Sequence, residues 1–163
     1  MKKLKILIIE PFYGGSHKNF TDSLIKYSSH DYSLHTLPAR YWKWRMRGAA
    51  LHFSQKIKNP SAYDLLFTSD MMSLSDLKML WGDDCPPAVV YFHENQLSYP
   101  LPEGEKMDYQ FGFTDITTTL CADRILFNSQ YHHDRFFTEL PRFIRRMPEY
   151  KPGWAIDTIR KKS

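Results

Sequence analysis

The sequence has few cysteines, no long apolar segment and neither of the common glycine-rich nucleotide fingerprints. Its two cysteines, Cys85 and Cys121, lack the spacing of a metal site, so we expect free thiols in a reducing compartment. The longest apolar runs, such as Ala88–Phe92, are too short to span a bilayer. The basic N-terminus lacks the small-residue cleavage site of a signal peptide. These absences predict a cytoplasmic protein that is not bound to a membrane.

Aromatic residues, by contrast, are abundant. They make up 15% of the 163 residues, and 42% of the chain is hydrophobic, which is enough for one domain with a full core. The net charge is +4, and its excess lies in residues 142–163, which hold seven lysines and arginines against two acidic residues. Such a basic end is more typical of a solvated surface than of contact with nucleic acid.

Apolar, β-branched segments alternate with amphipathic segments along the chain. This alternation predicts a parallel sheet with helices on both faces, which is a Rossmann-like doubly wound α/β fold. We expect the strand order 3-2-1-4-5, which places a ligand crevice between the first and fourth strands, beyond their carboxyl ends. The five predicted strands are Leu4–Ile9, Tyr32–Leu37, Tyr63–Thr68, Pro87–Phe92 and Arg124–Asn128. Helices are predicted at 16–28, 41–57, 73–81, 108–121 and 129–146 (interrupted at Pro141), with a short helical segment within 148–163.

The first predicted strand leads into the loop Gly14-Gly15-Ser16-His17. The two glycines let a ligand approach the backbone, and a helix with Ser16 as N-cap would offer free N–H groups to an anion such as phosphate. A tight strand-to-helix turn that needs glycine only for its backbone angles explains the local pattern about equally well. The loop lacks both G-x-G-x-x-G and the P-loop lysine, which disfavours a complete dinucleotide or ATP site.

Four polar residues, with the sequence HENQ, directly follow the fourth predicted strand. In that position His93 can donate to a sugar hydroxyl or act in acid–base catalysis, and Glu94 can accept a hydrogen bond. A location at the expected crevice favours this role over that of an ordinary loop histidine. A metal site is disfavoured, because His93 and Glu94 point in different directions and only His17 is an obvious distant partner. His132 and His133 are interpreted as surface histidines.

Cations and aromatic residues interleave in the segment RYWKWRMR, residues 40–47. The cations could hold phosphates while the aromatic rings stack on bases. A helix that buries one tryptophan and exposes its charges is the more usual meaning of such a run. The candidate RNA-binding residues are Arg40, Trp42, Lys43, Trp44, Arg45 and Arg47.

The chain resembles the N-terminal domain of the tRNA-queuosine alpha-mannosyltransferase family over nearly its whole length. The resemblance is carried, in order, by ILIIEPFYGGSHK, LPARYWKWRMRGAALHFSQ, YFHENQLSYP, DYQFGFTDITTTLCAD and FNSQYHHDRF. The combination of FYGGSHK with YFHENQ is more specific than either motif alone. The family is similar to retaining glycosyltransferases of the GT-B type, in which an N-terminal Rossmann domain holds the acceptor and a C-terminal domain binds most of the donor.

The resemblance implies that residues 1–163 form one acceptor-side domain and that the donor-binding domain lies outside this chain, so the chain alone is expected to be inactive. It implies queuosine in a tRNA anticodon loop as acceptor, GDP-mannose as the sugar-nucleotide donor, no tightly bound cofactor and no metal. A tRNA acceptor also favours RNA contact by residues 40–47. His93 and Glu94 are the expected catalytic residues. The expected donor phosphate and sugar contacts are Gly14, Gly15, Ser16, His17, Asn95, Asn128 and Ser129.

Two other interpretations stay open: a self-sufficient small nucleotide-binding or flavodoxin-like domain, and a non-catalytic RNA-binding module. The first requires a phosphate fingerprint or a ribose-binding acid after the second strand, and Leu37-Pro38-Ala39-Arg40 contains no acid. The second is expected to leave the strand-end loops unremarkable, whereas residues 10–17 and 93–96 are rich in chemically capable side chains.

Overall fold

A five-stranded parallel sheet lies at the centre of the computed structural model, which describes residues 2–101 and 103–163. The strands are β1 (Lys5–Tyr13), β2 (Asp31–Pro38), β3 (Leu65–Ser69), β4 (Ala88–Phe92) and β5 (Arg124–Phe127). The α-helices of the described residues are α1 (Gly15–Tyr27), α2 (Trp42–Lys56), α3 (Leu74–Trp81), α4 (Tyr109–Cys121), α5 (Gln130–Arg145) and α6 (Trp154–Arg160). Short 3-10 turns lie at Pro60–Ala62 and Gly82–Asp84. The predicted Rossmann-like α/β class is confirmed, with each predicted strand near its expected place.

The strand order is β2-β1-β3-β4-β5, which differs from the expected 3-2-1-4-5. β1 pairs with β2 on one side and with β3 on the other, and β3 pairs with β4. β3 therefore separates the first and fourth strands, and the topological switch point lies between β1 and β3. Both orders use right-handed parallel crossovers and equally apolar strands, so the hydrophobic pattern could not distinguish them.

The first strand is longer than predicted. It continues past Ile9 to Tyr13, because Tyr13 still pairs with Pro38 of β2 after an irregularity that follows Glu10. Pro11 is tolerated there, since proline is compatible with a break in the hydrogen-bond ladder. The glycine pair Gly14-Gly15 thus begins α1 directly after the strand, with no loop between them.

The main hydrophobic core lies on one face of the sheet. Leu7 and Val90, from β1 and β4, belong to it together with Phe53 of α2, Leu77 of α3 and Phe136 of α5. α1 packs on the opposite face, where the ring of Phe20 stacks on Tyr91 with 4.0 Å between centroids.

Side-chain capping fixes where three helices begin. As predicted, the Ser73 hydroxyl accepts from the Asp76 N–H at the start of α3. Asp108 and Ser129 cap α4 and α5 in the same way. α5 is continuous through Pro141, where an interruption was expected. None of the described helices is both long enough and apolar enough to cross a membrane.

Candidate active site at the strand ends

Three polar side chains from separate parts of the sequence meet beyond the carboxyl ends of the strands: Glu10 of β1, His17 of α1 and His93 after β4. The His17 Nδ1 atom lies 3.3 Å from Glu10 Oε1, and both side chains are at least 95% buried. The imidazole rings of His17 and His93 lie 3.9 Å apart between centroids, with 30° between their planes. His17, in the first turn of α1, therefore lies against His93 although β3 lies between β1 and β4, and a site shared by Gly14, Gly15 and His93 stays a prediction. The two histidines meet because His17 extends from α1 and not from the sheet itself.

Hydrogen bonds within the protein fix Glu10. Its Oε1 atom accepts from the Phe12 N–H and from the Ser69 hydroxyl, both at 2.9 Å. The nearby His17 Nδ1 forms no hydrogen bond of acceptable geometry with any described residue, although it is buried. An unpartnered nitrogen in such a place is costly unless a ligand satisfies it.

Glu10, His17 and His93 are also the group best placed to hold a metal ion. Their ligand atoms all lie within 4.8 Å of one another. A tetrahedral zinc ion would require ligand atoms about 3.3 Å apart, so the three side chains would have to move together. Because Glu10 Oε1 already accepts two hydrogen bonds, the present arrangement suits a hydrogen-bonded polar ligand better than a metal ion.

The two glycines differ in their reason for being glycine. Gly14 has an extended backbone (φ −171°), but a Cβ there would lie 2.5 Å from the Cβ of Ala39. Gly15 has φ +51°, a conformation that favours glycine, and a Cβ there would meet no atom within 4 Å. Ser16 was predicted to be the N-cap, and this is wrong, because Ser16 already lies inside α1 and the N-cap is Gly14. No side chain caps that helix. The first N–H groups of α1 are therefore available to an anion.

His93 is held through its backbone. Its N–H donates to Asp70 Oδ1 at 2.9 Å, and its carbonyl accepts from Asn128 Nδ2 at 2.6 Å. Burial, followed by the proximity of His17 and His132, lowers the pKa of His93 to about 3. The imidazole is therefore neutral near pH 7, and it can donate one hydrogen bond and accept another, but it does not supply a positive charge.

Two buried aspartates lie behind this loop. Asp70 accepts from His93, and Asp115 of α4 accepts from the Gln96 N–H at 2.7 Å. Burial, with the charge of Glu94 adding to it, raises the pKa of Asp70 well above its ordinary value and that of Asp115 to about 8. Neither aspartate was predicted as a site residue; the signal for Asp115 is a lone acid in a helix otherwise rich in threonine and apolar residues.

His132 was predicted to be a surface histidine, and this is wrong: it is buried, although the adjacent His133 is partly exposed. The Nε2 atom of His132 lies 2.6 Å from Asn95 Nδ2, and its Nδ1 atom lies 3.2 Å from Asn128 Oδ1. Asn95 is itself buried, and its Oδ1 atom accepts from two backbone N–H groups of its own loop. This network of Asn95, His132 and Asn128 joins the loop after β4 to the start of α5.

Two cavities open beside the cluster, and Glu94 and Tyr99 line both of them. Among the described residues, Glu94 takes part in no side-chain hydrogen bond and no ion pair. The smaller cavity, of about 270 Å³, is lined by polar residues that include His93, Asn95, Asn128, Ser129, His132 and Arg135. The larger, of about 360 Å³, is lined by Phe12, Gly14, Gly15, Ser16, His17, Ala39, Trp42, Met71 and Gln96 in addition to the shared pair.

The predicted RNA-binding segment begins next to the larger cavity. Trp42 is partly buried, and its ring lies 4.9 Å from that of Phe111 between centroids, whereas Trp44 is 77% exposed. The guanidinium of Arg45 donates to the Pro38 carbonyl, and that of Arg47 donates to the Thr114 hydroxyl. Arg40, Tyr41, Lys43 and Trp44 are exposed at the start of this segment and are called the α2 surface below; Arg47, further along, is exposed as well.

The fold defines a Rossmann-like domain, and Glu10, His17 and His93 form a candidate site beyond the carboxyl ends of its strands. Residues 5–163 match the family model for the tRNA-queuosine alpha-mannosyltransferase N-terminal domain, and the chain belongs to that family. A curated tRNA-queuosine alpha-mannosyltransferase from Drosophila melanogaster is 44% identical over 162 residues. That match covers 98% of this chain and 43% of the relative, so the chain spans less than half the relative's length.

Proposed function

We propose that this chain is the acceptor-side half of a retaining, GT-B-type glycosyltransferase that transfers mannose from GDP-mannose to queuosine in tRNA. Membership of the family supports the class of reaction, and the relative's name supports mannose and tRNA queuosine. The observation that carries the proposal is the meeting of His17, His93 and Glu94 beside two cavities at the strand ends. The proposal places the reaction in the cytoplasm, with a donor-binding domain closing over this site.

In this proposal the donor phosphate lies at the uncapped start of α1, where the N–H groups of Gly15, Ser16 and His17 face it. The neutral imidazole of His93 forms a hydrogen bond with a hydroxyl of the transferred sugar. Asn128 and Ser129, which line the smaller cavity, are close enough to His93 to contact the same sugar. A bond forms between the acceptor oxygen and the sugar's anomeric carbon as the bond to phosphate breaks. GDP leaves with that electron pair, and the acceptor proton passes to the leaving phosphate.

The acceptor approaches the reacting carbon on the face from which the phosphate leaves, as retention of configuration requires. Glu94, which faces both cavities, accepts a hydrogen bond from the acceptor. The α2 surface binds the anticodon loop, with Arg40 and Lys43 holding phosphates and the exposed rings of Tyr41 and Trp44 stacking on bases. This arrangement gives the domain its own affinity for tRNA without the donor domain.

The test compares this chain with the longer protein that contains its downstream half. We expect residues 1–163 to give no mannosyl product from GDP-mannose and queuosine-containing tRNA, and the longer protein to give product. In the longer protein, His93→Ala should lower kcat/KM by roughly 100-fold, the scale of one lost transition-state hydrogen bond, while tRNA affinity stays nearly unchanged.

Three results would contradict the proposal. Turnover by residues 1–163 alone would refute the division of the site between two domains. Normal turnover by a folded His93→Ala variant would refute the site assignment. A longer protein that binds tRNA but transfers no sugar would favour the RNA-binding module instead.

A further inference from the structure

The side-chain amide of Asn95 is held in one orientation by its own loop. Its Oδ1 atom accepts from the Leu97 N–H at 3.0 Å and from the Ser98 N–H at 2.9 Å. A backbone N–H can only donate, so the atom that receives both of them is the amide oxygen. The Asn95 atom that lies 2.6 Å from Nε2 of His132 is therefore the amide nitrogen, which can only donate.

This orientation determines which nitrogen of His132 carries the proton. Nε2 has to accept from Asn95, so in the neutral imidazole the proton lies on Nδ1. Nδ1 lies 3.2 Å from Asn128 Oδ1, which can accept that proton. Burial lowers the pKa of His132, although a hydrogen bond to the Phe92 carbonyl acts in the opposite direction, and the neutral form is the one that the network requires.

Asn128 passes the same polarity on to His93. A carbonyl can only accept, so the Asn128 atom that lies 2.6 Å from the His93 carbonyl oxygen is Nδ2, which leaves Oδ1 to face His132. The hydrogen bonds therefore run in one direction, from Asn95 through His132 and Asn128 to His93. They leave the loop after β4 at Asn95 and return to it two residues earlier, at His93.

His132 is suited to fixing this path and not to binding a ligand. Its ring packs edge-on against Phe127, with 5.2 Å between centroids and 86° between the planes. Although His132 lines the smaller cavity, both of its ring nitrogens already have partners within the protein. Asn128, by contrast, keeps a second amide hydrogen for the sugar, because only one of its two is needed by the His93 carbonyl.

We infer that His132 is a positioning residue for His93, and that it acts as the neutral tautomer with its proton on Nδ1, through the amide of Asn128. The inference rests on the proposed function, in which His93 contacts the transferred sugar. Removing the imidazole would leave the buried amide of Asn95 without one partner and would free Asn128 to turn away from the His93 carbonyl. The loop that carries His93 would then lose one of its two anchors, and the Asp70 carboxylate would be the other.

The first experiment is nitrogen-15 NMR of the histidine rings in this chain, which requires no activity. Near neutral pH we expect Nδ1 of His132 to carry a proton and Nε2 to carry none. In Asn95→Asp a carboxylate oxygen would replace the amide nitrogen, so both nitrogens of His132 should be protonated. His132→Leu should lower the backbone order parameters of residues 93–96 from about 0.85, the value of a rigid backbone, toward about 0.6. His133→Gln is the matched control, because His133 is the next residue of α5 and lines neither cavity.

The second experiment measures sugar transfer by the longer protein. His132→Leu should lower kcat roughly tenfold or more, since a 1 Å misplacement of a reacting group can cost on the order of 100-fold, and the KM values for GDP-mannose and tRNA should change little. His132→Gln, whose amide oxygen can accept from Asn95, should retain more activity than His132→Leu at a comparable Tm. His133→Gln should keep normal kinetics.

A proton on Nε2 and not on Nδ1 in the unchanged chain would overturn the inference without any variant. So would unchanged order parameters in His132→Leu, or normal kcat in a folded His132→Leu enzyme. If the NMR results hold but the longer protein transfers no mannose, the positioning of His93 stands and the proposed function fails. If the longer protein transfers mannose equally well with and without His132, the proposed function stands and this inference fails.

Discussion

The two adjacent glycines should respond differently to the same small change, because the structure requires each for its own reason. An added methyl group at Gly14 would have its carbon 2.5 Å from the Cβ of Ala39, in the loop after β2. An added methyl group at Gly15 would meet no atom within 4 Å, but it would have to tolerate φ +51°. Gly14→Ala therefore tests packing, and Gly15→Ala tests backbone conformation.

The size of each effect follows from these geometries. Carbon atoms in contact lie about 3.5–4.0 Å apart, so Gly14→Ala requires a movement of about 1 Å between the start of α1 and the loop that holds Ala39. Overpacking of this kind costs about 1–3 kcal/mol, which in a domain of this size lowers Tm by roughly 2–12 °C. Gly15→Ala should cost about 1–2 kcal/mol from its left-handed backbone, and Gly15→Asn should cost less, since asparagine tolerates that region.

A double variant identifies the cause. In Gly14→Ala/Ala39→Gly the methyl group of residue 39 is removed, so the clash disappears. The double variant should therefore recover most of the lost stability, as measured by thermal and urea unfolding. Ala39→Gly alone serves as the control for the added flexibility of the loop, and the four proteins form one cycle. If the double variant is no more stable than Gly14→Ala, the contact with Ala39 is not the reason for glycine at this position.

Activity measurements test whether the glycine pair also has a functional role, which stability measurements cannot show. Gly15→Val in the longer protein should lower kcat/KM strongly, because a branched side chain would project toward the proposed phosphate site. Gly15→Asn should retain more activity than Gly15→Val at a comparable Tm. Equal activity of these two variants would leave the glycine pair as a structural turn only.

Two further predictions concern RNA and pH. Arg40→Ala/Lys43→Ala should reduce the slope of log K for tRNA binding against log salt concentration by about 0.7–0.9 per lost phosphate contact. The control variant Lys56→Ala/Lys58→Ala should keep the slope of the unchanged protein. If both variants keep that slope, the α2 surface is an ordinary solvated face. Because its folded pKa of about 8 lies above the unfolded value of 3.8, Asp115 should make the protein less stable as pH rises from about 4 to 8. Asp115→Asn should flatten the dependence of Tm on pH over that window, and an unchanged slope would refute this role of Asp115.

The class of the fold could be predicted from sequence because its signals are local. Alternating apolar strands and amphipathic segments specify parallel strands with crossover helices, and Ser73 with Asp76 indicates where α3 begins. The strand order is not a local property. It depends on which strand fills the position beside β1, and nothing in the composition of β3 or β4 distinguishes them. The expected strand order 3-2-1-4-5 was therefore wrong, although the Rossmann-like class was right.

The candidate site could be predicted only where chemistry coincides with a strand end. His93 and Gly14-Gly15 follow strands, so their place at one edge of the sheet could be predicted even with the wrong strand order, although the glycines line the larger cavity and His93 the smaller one. Asp115 and His132 lie within or near helices and take their character from burial, which depends on the packing of distant segments. His132 was placed on the surface because adjacent residues of a helix point in different directions, and its contacts with Phe92 and Asn95 come from a distant part of the sequence.

The backbone of the loop after β4 is fixed by hydrogen bonds, and this explains why the Glu94 carboxylate in that loop has no partner among the described residues. Asp70 holds the N–H of His93, Asn128 holds its carbonyl, and Asp115 holds the N–H of Gln96. Anchored at both ends, the loop has little freedom to turn Glu94 toward a partner inside the protein. Its carboxylate therefore remains beside both cavities, and a rigid backbone lowers the entropic cost of holding it there for a ligand.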